Sequence, residues 1–95
     1  MVWTDPRVFY TETVKMTPDE ILAGIHSVAR EHIDFDGDLR REMRLVEDLE
    51  LDSLGALTLA VEVENRFRIR LDPEVEAEIE TVGDLVDVVG RLLAD

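Results

Sequence analysis

The sequence predicts an all-α protein, a small four-helix bundle with three longer helices, one short helix and a long first loop. Three segments carry apolar residues at helical spacing behind a capping residue, and no two alternating segments are available to pair as strands. The length of 95 residues and the hydrophobic fraction of 45% fit one domain with a modest core. We divide the chain into an N-terminal extension, residues 1–16, and a helical domain, residues 17–95.

Charge and composition exclude several functions. The chain has 23 acidic and 10 basic residues, for a formal net charge of -13. Phosphate backbones are bound by Lys and Arg, so we expect no nucleic acid partner; the acidity indicates a basic partner surface or simply solubility. The absence of cysteine excludes disulfides, thiolate zinc sites and cysteine nucleophiles and fits a cytoplasmic location. We expect neither a targeting segment nor a membrane partner.

The N-terminal extension holds three of the five aromatic residues, Trp3, Phe9 and Tyr10. Residues 8–14 show no helical stripe and indicate a mildly extended segment. Such an arm either folds back over part of the core or docks on a partner. We expect the first of these.

The first helix has a clear start. Thr17 is a capping residue, Pro18 suits the first helical position, and Asp19 and Glu20 place acids in the first turn. We expect this helix to end near residues 32–34. Its apolar face consists of Ile21, Leu22, Ile25, Val28, Ala29 and Ile33.

A long polar connection follows, over residues 34–48. Leu45 and Leu49 are its expected anchors in the core, and Phe35 is expected to tuck under the bundle. A small basic cluster lies within it, Arg40, Arg41 and Arg44.

The second long helix is predicted from about Asp52–Ser53 to about Phe67, and it has two apolar stripes. At about 100° per residue, one stripe contains Ala56, Leu59, Ala60, Val63 and Phe67. The other contains Leu54, Leu57 and Val61. A helix that lies on one core needs only one stripe, so the second either belongs to the core of a nearly surrounded helix or is an exposed contact site.

Two further helices complete the bundle. Residues 68–72 alternate in polarity but lack a partner strand, so we interpret them as an extended connection. Asp72 and Pro73 open a short helix through about Glu78. The last helix starts at the capping-box-like Thr81-Val82-Gly83-Asp84. Its apolar residues are Leu85, Val86, Val88, Val89, Leu92 and Leu93.

Catalytic and metal motifs are missing from the sequence, so we expect no metal site and no enzyme activity. A calcium loop that started at Asp34 would need glycine at position six and glutamate at position twelve, where the chain has Leu39 and Leu45. His26 and His32 are six residues apart, not the four of a zinc pair on one helix. Ser53 lacks the pair of flanking glycines of a nucleophile elbow.

Ser53 has one unusual property, its place at the junction of a loop and a helix. The positive end of the helix would tolerate a phosphate ester on its hydroxyl. The nearby acids Glu47, Asp48, Glu50 and Asp52 would attract a basic enzyme surface, and Leu54, Leu57 and Val61 would give it an apolar contact. Position alone favours the alternative, an ordinary helix cap.

The segment from Leu45 to Leu54, LVEDLELDSL, resembles the attachment segment of the acyl carrier protein family. The Asp-Ser-Leu core behind an acidic-leucine element is its most specific feature. The resemblance covers roughly residues 17–93. It continues through Leu59, Val63, Glu64, Phe67 and Ile69 to Thr81-Val82-Gly83-Asp84-Leu85.

The resemblance implies a carrier domain over residues 17–95. Ser53 would receive 4′-phosphopantetheine from coenzyme A through a phosphopantetheinyl transferase, and the thiol of that group would hold an acyl chain as a thioester. Asp52 would help to orient the serine and the transferase. Leu54, Leu57 and Val61 would contact partner enzymes. Leu59, Val63 and Phe67 would be core positions that can also line an acyl cavity.

The sequence departs from a general fatty-acid carrier at Gly55 and Thr58, where acids are usual, and at Asn65, Arg66, Arg68 and Arg70. We therefore expect a freestanding, monomeric carrier for specialised biosynthesis, either polyketide or mixed peptide–polyketide. Its expected partners are acyl-loading, condensing and tailoring enzymes besides the transferase, with Glu47 and Asp48 also in the contact. The alternatives are an unmodified acidic interaction module and a carrier for general fatty-acid synthesis.

Overall fold

The computed structural model describes residues 16–94, so the expectation for the N-terminal extension lies almost wholly outside the described part. It contains five helices: α1 (Pro18–His32), α2 (Leu45–Asp48), α3 (Ser53–Phe67), α4 (Pro73–Glu76) and α5 (Val82–Ala94). Three are long and two have a single turn, which confirms the predicted all-α class. Within residues 16–94, none of the helices has the length and apolarity needed to cross a bilayer.

Helix α1 begins and ends where the sequence predicts. The Thr17 Oγ1 accepts a hydrogen bond from the Glu20 N–H at 3.1 Å, and the Thr17 N–H donates to Glu20 Oε1 at 2.9 Å. This reciprocal capping box, with Pro18 in the first turn, satisfies amides that the helix itself leaves without partners.

The first connection contains a helical turn, α2, that the sequence did not predict. Leu45 and Leu49 are buried and anchor this turn in the core, as expected. The Leu45 N–H donates to the Glu80 carbonyl at 3.0 Å, and the Val82 N–H donates to the Met43 carbonyl at 2.9 Å. These bonds fasten the connection to the start of α5. Leu39 is a further buried anchor that the sequence analysis did not identify.

The remaining boundaries follow local capping. Helix α3 ends at Phe67, and its C-cap residue Arg68 adopts the left-handed conformation. Residues 68–72 form a connection without strand structure, as predicted. Helix α4 ends at Glu76, and a turn follows it. At the start of α5, the Asp84 carboxylate accepts from the Glu80 and Thr81 N–H groups at 3.0 and 3.1 Å.

The core lies where α1 packs against α3 and α5. A Cβ on Gly24 of α1 would come within 2.7 Å of the Phe67 ring, so glycine allows this close approach. Further along α1, His32 Nε2 lies 3.5 Å from Glu62 Oε1. Later residues of α1 therefore face earlier residues of α3, and the two helices run antiparallel.

Candidate functional site

The junction before α3 presents Ser53 to solvent. Ser53 is the first residue of α3, and it is exposed. Leu49 is buried, and the Leu51 N–H donates to the Val46 carbonyl at 3.0 Å, so the preceding loop is held at both points. Glu50 makes the turn between them with a φ of 54°. The hydroxyl at position 53 is thus accessible on a fixed stretch of backbone.

Asp52 caps α3. Its Oδ1 accepts from the Gly55 N–H at 2.7 Å, and its carbonyl accepts from the Ala56 N–H at 2.9 Å. A Cβ on Gly55 would lie 3.1 Å from that Oδ1 and 3.3 Å from Leu51 Cδ2, which is tight. Glycine at this position therefore leaves room for the cap. The role of Asp52 that the geometry reveals is to fix the helix start beside Ser53.

The first turn of α3 is free of acidic side chains. By contrast, α1 has Asp19 and Glu20 in its first turn, and α5 has Asp84. The N-terminal end of a helix carries partial positive charge and stabilises a nearby anion. Apart from the N-cap carboxylate of Asp52, which is bound to the Gly55 N–H, a phosphate ester on Ser53 would meet this end without repulsion from an acidic side chain of the first turn.

The predicted acids Glu47 and Asp48 are exposed on α2, and both also contact Arg44 at the start of that helical turn. The Asp48 Oδ2 accepts from the Arg44 N–H at 2.7 Å. Glu47 Oε1 lies 3.3 Å from Arg44 Nε. The exposed ion pair of Glu47 is weak, and the Asp48 carboxylate makes only a backbone hydrogen bond, so both carboxylates can still interact with a basic surface.

The second apolar stripe of α3 is exposed. Leu54, Leu57 and Val61 are 70%, 60% and 41% exposed, and we call these three residues the exposed strip. Their spacing places them on one helix face that starts next to Ser53. Val46 on α2 is also 55% exposed, and the sequence analysis did not single it out. Apolar side chains grouped at the surface mark a contact site.

A cavity of about 470 Å³ lies between the other face of α3 and the segments around α2 and α4. Of the three predicted cavity positions, Leu59 lines it, whereas Val63 and Phe67 are buried in the core. Ala56 and Ala60 also line it and belong to the same stripe of α3 as Leu59. The other lining residues come from separate segments, so no periodic signal could have grouped them with this stripe. The apolar ones among them are Leu45, Val46, Leu51, Leu71, Ile79 and Leu85.

The two histidines have ordinary partners. His26 Nε2 lies 2.7 Å from the Gly37 carbonyl oxygen, and the imidazole of His32 is near Glu62. In the part of the chain that the structure describes, no three or more side chains are arranged to hold a metal ion.

Comparison with known proteins identifies the family. Residues 19–89 match the family model described as the phosphopantetheine attachment site. Acyl carrier protein 2 of Ralstonia nicotianae is 38% identical over 80 residues, which are 83% of this chain and 99% of that protein. The meromycolate extension acyl carrier protein of Mycobacterium leprae is 32% identical over 78 residues, 81% of this chain and 68% of that protein. An acyl carrier protein of Myxococcus xanthus is 31% identical over 72 residues, 75% of this chain and 91% of that protein.

These matches define a carrier rather than a catalyst. The chain belongs to the acyl carrier protein family. It is a carrier of covalently attached 4′-phosphopantetheine, and it is not an enzyme. Proteins of this family interact in general with phosphopantetheinyl transferase and with enzymes of acyl biosynthesis.

Proposed function

We propose that Ser53 bears the 4′-phosphopantetheine and that the chain carries thioester-bound acyl intermediates between enzymes. The observation that supports this most is the exposed hydroxyl at the first position of α3, where the first turn has no carboxylate. The chain has two serines. The other, Ser27, lies half-buried in the middle of α1, where a transferase would not reach it easily.

The modification joins the Ser53 oxygen to the phosphorus of coenzyme A that bears pantetheine. An O–P bond forms, the pyrophosphate P–O bond breaks, adenosine 3′,5′-bisphosphate leaves, and the hydroxyl proton passes to a base of the transferase. Asp52 keeps the serine at the helix start, and the amides of the first turn favour the resulting phosphodiester. The group supplies a thiol for the acyl thioester, and the chain has no cysteine of its own.

The exposed strip and the acids of α2 form the proposed contact surface for the transferase and for acyl-loading, condensing and tailoring enzymes. Leu54, Leu57 and Val61 would bury apolar area in each complex, while Glu47 and Asp48 would steer a basic partner. The contact is expected to be small and weak, because a carrier has to leave each enzyme after transfer.

Intact mass after incubation with coenzyme A and a broad-specificity transferase tests the assignment. We expect one pantetheinyl addition on the parent chain and on Ser27→Ala, and none on Ser53→Ala. Both substitutions should leave the thermal midpoint within a few degrees of the parent value. An addition on Ser53→Ala, or no addition on the parent chain, would contradict the proposal.

The cavity beside α3 is the proposed shelter for the acyl chain. Its lining is largely aliphatic, and Arg44, Glu47, Glu76 and Glu80 supply the polar part. Ala56 and Ala60 are small, and they leave space between α3 and the segments opposite. Burial there would keep an apolar cargo out of water between transfers.

We further propose specialised biosynthesis, polyketide or mixed peptide–polyketide, as the pathway. Support comes from Gly55, Thr58 and the arginines that follow Asn65, which make the surface less uniformly acidic. A natively loaded acyl group of ordinary fatty-acid mass would favour general fatty-acid synthesis instead, and a chain found unmodified would favour an interaction module. The division at residue 17, the freestanding and monomeric state and the cytoplasmic location stay predictions.

A further inference from the structure

Three arginines lie close together in a strongly acidic chain. Arg66, Arg68 and Arg70 are three of the ten basic residues, and we call them the arginine turn. All three are exposed, while the alternate residues Phe67 and Ile69 are buried and half-buried. The alternation holds the backbone of the turn on the core and directs the three cationic side chains to the surface.

The arginine turn differs in its partners from four of the five other arginines in the described part of the chain; the exception is Arg30 of α1, which also has no carboxylate within 4.0 Å there. Four arginines elsewhere have a carboxylate within 4.0 Å: Arg40 with Glu42, Arg41 with Asp87, Arg44 with Glu47 and Arg91 with Glu78. Within residues 16–94, no carboxylate lies at that distance from a guanidinium of the arginine turn. Its positive charge is therefore not neutralised by a direct ion pair in this part of the chain.

The carboxylate one helical turn before Arg68 is already in use. Glu64 Oε2 accepts from the Leu71 N–H at 2.6 Å, and the Glu64 carbonyl accepts from the N–H groups of Arg68 and Ile69. These bonds fix the turn from both sides. Arg68 itself has φ 58° and ψ 47°, a conformation that glycine adopts with less strain. An arginine is present at this position despite the less favourable backbone.

We propose that the arginine turn binds an acidic segment of a partner protein while the Ser53 end of α3 engages an enzyme. This inference rests on the proposed function of Ser53. Arginine forms bidentate hydrogen bonds with carboxylates, so a peptide rich in Asp and Glu fits the three guanidinium groups. Arg66 lies thirteen positions after Ser53 in the helix, a rise of about 20 Å, which leaves room for two partners.

Charge favours a short acidic peptide over an extended polyanion. The net charge of -13 would repel a nucleic acid or an anionic membrane that spread beyond the patch. At physiological salt the screening length is about 8 Å, so the distant acids are largely screened, and a short segment would sense the three arginines together with the neighbouring Glu64 and Asp72. A second contact of this kind would keep the carrier close to its enzyme and raise the effective concentration of the tethered cargo.

The test uses the full chain with ¹⁵N label and a fluorescent tetraglutamate peptide, with tetraglutamine as the neutral probe. We expect tetraglutamate alone to bind, with amide shifts centred on residues 64–72. The triple substitution R66Q/R68Q/R70Q should weaken binding by about tenfold or more. The matched variant R30Q/R40Q/R91Q removes the same charge elsewhere, and it should stay within about twofold of the parent.

The single substitution Arg70→Gln is the control for unfolding of the triple variant, because residue 70 lies outside α3. It should weaken binding with an unchanged thermal midpoint. Equal loss in the matched variant, no binding by the parent, or tighter binding to phosphatidylglycerol vesicles than to the peptide would overturn the proposal. So would binding that appears only after Asp5→Asn and Glu12→Gln, since the occupant would then be the chain's own extension. Intact mass spectrometry of the same samples measures the modification of Ser53, and it therefore tests the proposed function separately.

Discussion

Helix α3 carries two apolar stripes of similar composition in opposite environments. Leu59, Val63 and Phe67 are 4%, 0% and 7% exposed and form part of the core under α1. The exposed strip, Leu54, Leu57 and Val61, begins one residue after Ser53 and remains largely at the surface. A leucine and a valine occur in both stripes, so residue type does not decide burial. The position of the neighbouring helices decides it.

The difference separates two roles for apolar side chains in one helix. Burial of the first stripe stabilises the bundle through the hydrophobic effect. The exposed strip contributes little to folding, because its side chains stay hydrated in the described part of the chain. We therefore expect substitutions in the two stripes to separate stability from partner contact.

The matched pair Val63→Glu and Val61→Glu should give the largest contrast. A carboxylate at the fully buried position 63 should cost about 4 kcal/mol or more, comparable with the whole stability of a domain this small. Val61→Glu should change the free energy of unfolding by about 0.5 kcal/mol at most and slow pantetheinyl transfer about tenfold. Urea unfolding and single-time-point intact mass measure the two effects. Equal loss of stability in both variants would assign Val61 to the core.

Truncation of a leucine should sharpen the comparison with a smaller effect. Leu59→Ala should lower the free energy of unfolding by about 2–5 kcal/mol, through lost burial and a larger cavity. Leu57→Ala should leave stability within about 0.5 kcal/mol. Because it removes an exposed contact, it should slow transfer several-fold. Transfer unaffected by Leu57→Ala would count against a docking role for the exposed strip.

Gly24 tests how closely the buried stripe meets α1, and Gly90 of α5 serves as the control. Gly24→Ala would press a Cβ on the Phe67 ring, and it should cost about 1–3 kcal/mol. Gly90→Ala, whose Cβ would meet only Ile21 Cδ1 at an ordinary 3.5 Å, should gain about 0.5–1 kcal/mol from helix propensity. Thermal unfolding of the two variants shows whether each substitution raises or lowers the stability. A stabilising Gly24→Ala would mean that Phe67 can move away from α1.

The smallest expected effect is the pH dependence of the stability that Asp84 contributes. It means that the two stripes of α3 should be compared at neutral pH. N–H groups of Glu80 and Thr81 donate to Asp84, and with a lesser contribution from Arg41 they lower its pKa below the ordinary 3.8. Its stabilising contribution is complete above that ordinary value. The contribution is lost as the pH falls through 3.8 and then through the lower pKa of the folded state.

Asp84→Asn should therefore lower the thermal midpoint modestly at neutral pH, and the difference from the parent should shrink at strongly acidic pH. Thermal scans across this range measure the effect. A difference that is the same at all pH values would show that ionisation of Asp84 does not contribute to stability.

Local capping made most of the helix boundaries predictable. Thr17 with Glu20, Asp52 before Ser53, and Thr81 with Asp84 each identify a helix start from a few neighbouring residues. Such caps depend on hydrogen bonds within one turn, which the sequence contains in full. The same local bonds place Ser53 at a helix start without any tertiary contact.

Helix α2 could not be predicted in this way. It has four residues, too few to show a helical period, and its N-cap residue Arg44 makes no side-chain capping bond. Burial of Leu45 and its backbone bond to Glu80, which is 35 residues away, hold the turn in place. The cavity likewise depends on Leu59, Leu71 and Leu85 meeting from separate segments.

The sequence by itself determined three long amphipathic helices, their starts and a serine at the beginning of one of them. These features follow from hydrogen bonds and periodicity within a few residues. Only the tertiary structure decided which stripe of α3 is covered, because burial depends on where α1 lies. It also decided that the arginine turn lacks an ion pair within residues 16–94, since Glu64 turns back to the amide of Leu71.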